Sequence, residues 1–145
     1  MDFAVEFFAG ILSYSEKNRQ ERRKIDRIGA GSYIPPMLKT NISVSKEKQN
    51  AVKTALGRAV CDIPGKSEAW LMVGMEPESS LWFKGEDSPC AMVDVSVYGE
   101  ASYDACSRLT GDICKILESE LAISPSRVYV KYFETEKWGF NGSNF

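Results

Sequence analysis

The side chains of this sequence limit which groups could carry out proton transfer or thiol chemistry. The 145 residues include no histidine, which removes the usual near-neutral general base and the commonest metal ligand. The four cysteines, Cys61, Cys90, Cys106 and Cys114, form no CxxC pair and have no metal-ligand spacing. We therefore expect reduced, packed thiols in an intracellular protein, with neither a metal site nor a redox dithiol. Any acid–base chemistry must come from another group.

A pair of prolines, Pro35 and Pro36, stands directly before an alternating run of apolar and polar residues. Proline suits the first position of a strand, because its missing N–H removes nothing from the hydrogen-bond ladder there. The alternation from Met37 to Val44 predicts that strand.

The sequence from Met37 to Met75 predicts a strand, a helix and a second strand. Ser45 can cap a helix that runs from Lys46 to Cys61, with an apolar stripe at Val52, Ala55, Leu56, Ala59 and Val60. The short apolar run from Trp70 to Met75 is predicted as the second strand. The segment is therefore a βαβ crossover unit.

A second segment repeats this pattern. Ala91 to Val97 alternates as a strand, Ser102 can cap a helix, and a closing strand follows Pro125. The stripe of the second helix is formed by Cys106, Leu109, Ile113, Leu117 and Leu121. Two such units predict an α/β fold with a four-stranded mixed sheet and two helices on one face. The other face must be covered by residues 1–35 or by other copies of the chain.

Residues 1–35 differ in character from the rest. An apolar stretch is followed by a charged run and by "GAGSY", which is typical of a linker, so we expect an N-terminal extension. Asp2 and Glu6 argue against a secretory signal or a transit peptide. An alternative makes this segment an amphipathic peptide for a partner or a membrane surface. The net charge of −2 gives no drive toward nucleic acid, and no apolar run has transmembrane length.

Several motifs from Pro36 to Phe145 resemble the macrophage migration inhibitory factor family. They are "PMLKTN", "PGKSEAWLMV", "SPCAMVDVSVYG" (88–99), "LAISPSRVYVKYFE" (121–134) and "WGFNGSNF" (138–145). The resemblance implies that residues 36–145 have a tautomerase fold and form a homotrimer with active sites at subunit boundaries. It also implies that the chain is a keto–enol tautomerase that uses no cofactor or metal. Its substrates would be of the phenylpyruvate and dopachrome types.

The resemblance assigns Pro36 as the catalytic base, with Met37 following it as in the family's "PM" start. The family uses the secondary amine of an N-terminal proline. An α-amino group has a pKa near 7.7–8.0, which a cationic, apolar site can lower toward neutrality. In this sequence Pro36 is joined to Pro35 by a tertiary amide, whose nitrogen is not basic. Activity is therefore expected only when the Pro36 amine is free.

Two further residues match the family's active site. Lys66 matches the lysine that binds the substrate carboxylate and helps to keep the proline amine neutral, although an exposed turn lysine is the plain alternative. Tyr98 matches a position that contributes a backbone contact and is commonly isoleucine. Its alternative is an aromatic residue of the sheet that packs across a subunit boundary.

The last part of the chain supplies the remaining predicted substrate contacts. Tyr129 keeps the family's tyrosine, whereas Lys131 replaces the asparagine that usually hydrogen-bonds substrate. Lys131 could strengthen carboxylate binding or depress the pKa of an amine, and an outward strand lysine is the alternative. Trp138, Phe140 and Phe145 match the aromatic pocket wall.

Two functions fit the resemblance. The first is an isomerase with Pro36 as base and Lys66 as substrate clamp, acting on a small aromatic 2-keto acid after the extension is removed. The second is a catalytically silent trimer that binds a protein receptor or ligand in a cytokine-like role.

Cys90 matches a family cysteine, but Val93 replaces the second thiol of the CxxC that some members carry, so Cys90 is expected to be structural. The resemblance implies a cytoplasmic protein that can leave cells without a signal peptide.

Overall fold

A computed structural model describes residues 37–144 of the chain. The sequence-based predictions for residues 1–35, Pro36 and Phe145 lie outside the described residues. Eight helices and strands make up the described part: β1 (Met37–Thr40), α1 (Lys46–Ala59), β2 (Gly74–Glu76), β3 (Ala91–Tyr98), α2 (Tyr103–Leu121), β4 (Val128–Thr135), β5 (Gly139–Phe140) and β6 (Ser143–Asn144).

The sheet confirms the predicted doubled βαβ unit. Its strand order is β2-β1-β3-β4, with β1 parallel to β2, β3 parallel to β4, and β1 antiparallel to β3. The two units therefore meet along the β1–β3 pair, and the sheet is mixed. Strands β5 and β6 form a separate hairpin after β4.

Both helices begin at the predicted serines. The Ser45 hydroxyl accepts a hydrogen bond from the Lys48 N–H at 3.2 Å, and the Ser102 hydroxyl accepts one from the Ala105 N–H at 3.2 Å. Each bond satisfies an N–H that has no partner within its own helix. Helix α1 ends at Ala59, and a 3₁₀ turn (Val60–Asp62) covers the rest of the stretch predicted as helix.

One sheet face packs against both helices. Val93 and Val97 of β3 share a core with Val52 of α1 and with the α2 stripe, which includes Leu109 and Ile113. The α2 stripe confirms the predicted positions except the first, where Ala105 is buried and Cys106 is half-buried. Both helices therefore cover the same face, as predicted.

The strand predicted from Met37 to Val44 is too long, because β1 ends at Thr40. The Thr40 side chain is fully buried and its hydroxyl donates to the Cys90 carbonyl at 2.8 Å. The Asn41 side chain turns toward a neighbouring loop and donates to the Asp87 carbonyl at 2.8 Å. The chain bends at this point, and Val44 reaches the core without strand geometry.

The strand predicted from Trp70 to Met75 is also misplaced. A 3₁₀ turn occupies Glu68–Trp70, and β2 contains only Gly74–Glu76. The Trp70 side chain is 76% exposed, so the apolar run does not mark a buried strand throughout.

The prediction of packed cysteines holds for three of the four. Cys90 is buried, Cys106 and Cys114 are half-buried, and all are free thiols. The prediction is wrong for Cys61, which is exposed because it lies in the 3₁₀ turn after α1.

The second face of the sheet has no helix on it within residues 37–144. Because side chains alternate along a strand, this face carries Met92 and Asp94 of β3 and Tyr129, Lys131 and Phe133 of β4. Tyr129 is 56% exposed and Phe133 is 43% exposed. We call this surface the open sheet face. Neither helix of the described part is long and apolar enough to cross a membrane.

Candidate active site

A lysine is held at the carboxyl end of β3. Lys66 follows the turn at Gly65, where φ is +78°, a left-handed conformation that glycine adopts without strain. The Lys66 Nζ atom donates to the Tyr98 carbonyl oxygen at 2.6 Å and lies 5.5 Å from the centre of the Tyr98 ring. The structure therefore brings together two predicted site residues that are 32 positions apart.

The Tyr98 ring occupies the space beside this ammonium group. Its contact with Lys66 is a cation–π interaction, in which the ammonium group lies against the ring. Tyr98 is 36% exposed and is the last residue of β3. A bulky aromatic side chain and a fixed cation thus lie together where the sheet ends.

An aromatic pair joins the predicted pocket wall to a residue that the sequence reasoning missed. The rings of Trp70 and Phe140 meet edge to face, with their centres 5.4 Å apart. Trp138 is half-buried and lies two residues before Phe140. The apolar run predicts Trp70 only as part of a strand. Its place four residues after Lys66 in "PGKSEAWLMV" is the one signal that could have indicated a site role.

Tyr129 lies at the other end of the sheet. It pairs with Met92 near the start of β3, whereas Tyr98 pairs with Thr135 at the end of β4. The six residue steps from Tyr129 to Thr135 span roughly 20 Å at the rise of a β-strand. A single chain therefore does not bring Tyr129 near Lys66.

Lys131 lies between these two ends, on the open sheet face. Its Nζ atom is 3.0 Å from Oδ1 of Asp94, whose side chain is only 15% exposed. The contact is an ion pair, and Asp94 Oδ1 accepts no hydrogen bond of good geometry within residues 37–144. Met37 pairs with Asp94 across β1 and β3, so these three side chains form one row. Pro36 directly precedes this row in sequence.

The Lys131 charge is therefore paired with Asp94 within the chain. Asp94 was not predicted as a site residue, because its pairing with a position 37 residues away depends on strand register. No cluster of three or more histidine, cysteine or acidic side chains in the described part could hold a metal ion.

Three ionisable groups whose pKa is raised by burial lie on the helix side of the sheet. Burial raises the pKa of the Cys106 and Cys114 thiols, and burial also raises the pKa of the Tyr132 phenol. The Tyr132 hydroxyl donates to the Cys106 carbonyl at 2.8 Å. All three are half-buried and lie away from the open sheet face.

Comparisons with known proteins give one consistent result. The family profile described as macrophage migration inhibitory factor (MIF) matches residues 35–145. The macrophage migration inhibitory factor of Mus musculus is 26% identical over 113 residues, which cover 76% of this chain and 98% of that protein. The Brugia malayi homolog is 25% identical over 103 residues, or 67% of this chain and 90% of that protein.

Solved structures share the fold. MIF2 of Leishmania major is 29% identical with a TM-score of 0.70, covering 77% of this chain and 97% of that structure. The macrophage migration inhibitory factor of Toxoplasma gondii is 21% identical with a TM-score of 0.71, covering 77% of this chain and 100% of that structure. The family match and the shared fold show that this chain belongs to the macrophage migration inhibitory factor family of the tautomerase superfamily.

Proposed function

We propose that this protein is a keto–enol tautomerase for small aromatic 2-keto acids, active once the Pro36 amine is free. The observation that carries the proposal is the Lys66 ammonium group, held 2.6 Å from the Tyr98 carbonyl at the end of the sheet. A fixed cation at this point can bind a substrate carboxylate. The exposed Trp70 and Phe140 rings offer an apolar surface for an aromatic substrate.

The reaction needs a base that takes a proton from carbon and a proton for the carbonyl oxygen. The neutral Pro36 amine removes a proton from the carbon next to the keto group, the carbon–carbon double bond forms, and the carbonyl oxygen takes a proton from water to give the enol. The protonated amine then returns its proton to the hydroxide left behind. The reverse step returns the proton to carbon. A nearby cation such as Lys66 lowers the pKa of the protonated amine, which increases the neutral fraction at physiological pH.

The proposal divides the chain into an extension, residues 1–35, and a tautomerase domain, residues 36–145. The family match over residues 35–145 supports this boundary. The base then becomes available only after the bond between Pro35 and Pro36 is broken.

A complete site further requires a homotrimer. Within one chain Tyr129 is remote from Lys66, and the open sheet face exposes Tyr129 and Phe133. Packing of a second and third copy against this face would cover the apolar side chains and bring Tyr129 and Lys131 of one copy toward Lys66 of another. We place the protein in the cytoplasm, with release from cells that needs no signal peptide.

The decisive experiment compares the full chain with a chain that begins at Pro36, each N-terminus being verified by mass. Enolisation of phenylpyruvate should be fast only with the shortened chain. In that chain Pro36→Gly should lose much of the rate, because a primary amine differs from the ring nitrogen in basicity and rigidity. Lys66→Ala should raise KM, because the partner of the carboxylate is removed. Equal activity of the full and shortened chains would overturn Pro36 as the base.

The amide between Pro35 and Pro36 favours a second candidate, a catalytically silent trimer that binds a ligand or a protein receptor. The mass of the N-terminus in protein purified from its source separates the two functions. A mature chain that begins at Pro36 supports the enzyme, whereas an intact Met1 supports the binding protein.

A further inference from the structure

The loop from Leu81 to Cys90 leads into β3 and lies beside the start of β4. Phe83 and Glu86 close a tight turn, with the Phe83 N–H donating to the Glu86 carbonyl at 2.9 Å and the Glu86 N–H donating back at 3.1 Å. Lys84 and Gly85 between them have φ values of 53° and 76°. This is the geometry of a two-residue hairpin turn, which holds the Phe83 backbone in one conformation.

Arg127 binds this loop through most of its guanidinium group. Its side chain is only 16% exposed. The Nε atom donates to the Pro89 carbonyl at 2.9 Å, and Nη2 donates to the Ser88 carbonyl at 3.0 Å. Longer Nη2 contacts reach the Phe83 and Glu86 carbonyls at 3.5 and 3.4 Å, and Nη1 lies 3.5 Å from the Glu86 carboxylate.

The same guanidinium group also lies over an aromatic ring. Its central carbon is 5.3 Å from the centre of the Phe83 ring. The Phe83 ring in turn contacts the Tyr129 ring, with centres 5.2 Å apart and planes inclined at 61°. Arg127 is therefore linked to Tyr129 through one intervening aromatic side chain.

We propose that Arg127 is a positioning residue that sets the orientation of the Tyr129 ring by holding Phe83 and its loop against it. The inference deepens the proposed function and rests on it, because Tyr129 is a substrate contact there. Arg127 lies in the 3₁₀ turn Pro125–Arg127, which leads directly into β4. It therefore joins the loop and the strand that carries Tyr129. Lysine could not replace it, because a single ammonium group lacks the planar set of donors that reaches several carbonyls at once.

The test observes the Tyr129 ring in the full chain without turnover. Tyrosine is labelled with carbon-13 in its ring, and the Tyr129 signal is assigned by its loss in Tyr129→Phe. In Phe83→Leu the signal should lose the ring-current shift that the neighbouring aromatic ring imposes. In Arg127→Lys it should move toward its position in Phe83→Leu, and trypsin should cleave after Lys84 several times faster.

Two controls separate positioning from general stability. Arg58→Lys makes the same exchange on an exposed position of α1 and should leave both readouts unchanged. The Tyr132 signal should also stay in place in Arg127→Lys, since its hydroxyl is anchored behind the sheet by Thr110 and the Cys106 carbonyl. An unchanged Tyr129 signal in Arg127→Lys, or equal movement of Tyr129 and Tyr132, would overturn the proposal. An inactive tautomerase would leave these spectra as they are, so failure of the proposed function is distinguishable.

Discussion

At the scale of single residues, the partner of Lys131 determines what its charge can do. Asp94 lies 3.0 Å from the Lys131 ammonium and is well shielded from water, so the positive charge is largely compensated. A substrate carboxylate that approaches Lys131 must compete with this aspartate. How strongly Lys131 can attract a substrate carboxylate therefore depends on Asp94, its neighbour in β3.

We predict that Asp94→Asn, made in the chain that begins at Pro36, lowers KM for phenylpyruvate a few-fold. Release of Lys131 from a partly buried pair is worth on the order of 1 kcal/mol. Steady-state kinetics measure the effect. Glu76→Gln is the matched control. It removes the same charge from another ion pair between neighbouring strands, that of Glu76 in β2 with Lys39 in β1 at 3.5 Å. An equal decrease of KM in the two variants would show that the change of net charge alone is responsible.

The cysteines should differ strongly in reactivity. Cys61 is exposed, whereas burial raises the pKa of Cys106 and Cys114 and so lowers their thiolate fraction at any given pH. We expect iodoacetamide to modify Cys61 first, Cys106 and Cys114 more slowly, and the buried Cys90 last. Mass mapping over time measures the order. Cys61→Ser should abolish the fast phase and leave the slow one, and a fast phase that persists would contradict this assignment.

At the scale of elements, the two helices contain glycines in opposite surroundings. A Cβ atom at Gly111 of α2 would meet open space. A Cβ atom at Gly57 of α1 would lie 2.5 Å from the Glu68 carboxylate carbon, and Glu68 is itself 3.9 Å from the Lys53 ammonium. The same substitution therefore has different consequences in the two helices.

We predict that Gly111→Ala raises the free energy of unfolding by about 1 kcal/mol, because alanine has the higher helix propensity. Gly57→Ala should gain clearly less, since Glu68 must move away from its present position. Urea unfolding followed by circular dichroism measures both. An equal gain at the two positions would mean that Glu68 moves without cost.

The elements also show how far the sequence alone could lead. The helices were predicted within a few residues, because a capping serine and a regular apolar stripe are local signals, as at Ser102 and Leu109. Strand β2 was misplaced because Trp70 and Met72 are apolar yet exposed, so hydrophobicity did not report burial there. The Lys66–Tyr98 contact was available only through the family resemblance, and the Asp94–Lys131 pair depends on register, which no single segment encodes.

At the scale of the whole molecule, the open sheet face predicts the assembly. We expect a homotrimer in sedimentation velocity, because Phe133 and Tyr129 expose apolar area on a face that no described helix covers. Phe133→Glu should shift the protein toward a smaller species by replacing an apolar contact of that interface with a charged side chain that must lose its water. Tyr103→Glu, at the 86% exposed first residue of α2, should leave the assembly unchanged. A stable monomer of the unsubstituted chain at micromolar concentration would contradict the trimer.

Strand β4 also bears on how this protein behaves when it is handled dilute or partly unfolded. It is eight residues long and occupies one end of the sheet order, so its outer backbone groups have no strand partner among residues 37–144. An uncovered edge of that length is a template on which further strands can add, and this is a route to aggregation. Glu134, an exposed residue of this strand, places a charge along it and opposes such growth. Loss of solubility should therefore begin at this edge, and Glu134→Gln should hasten it.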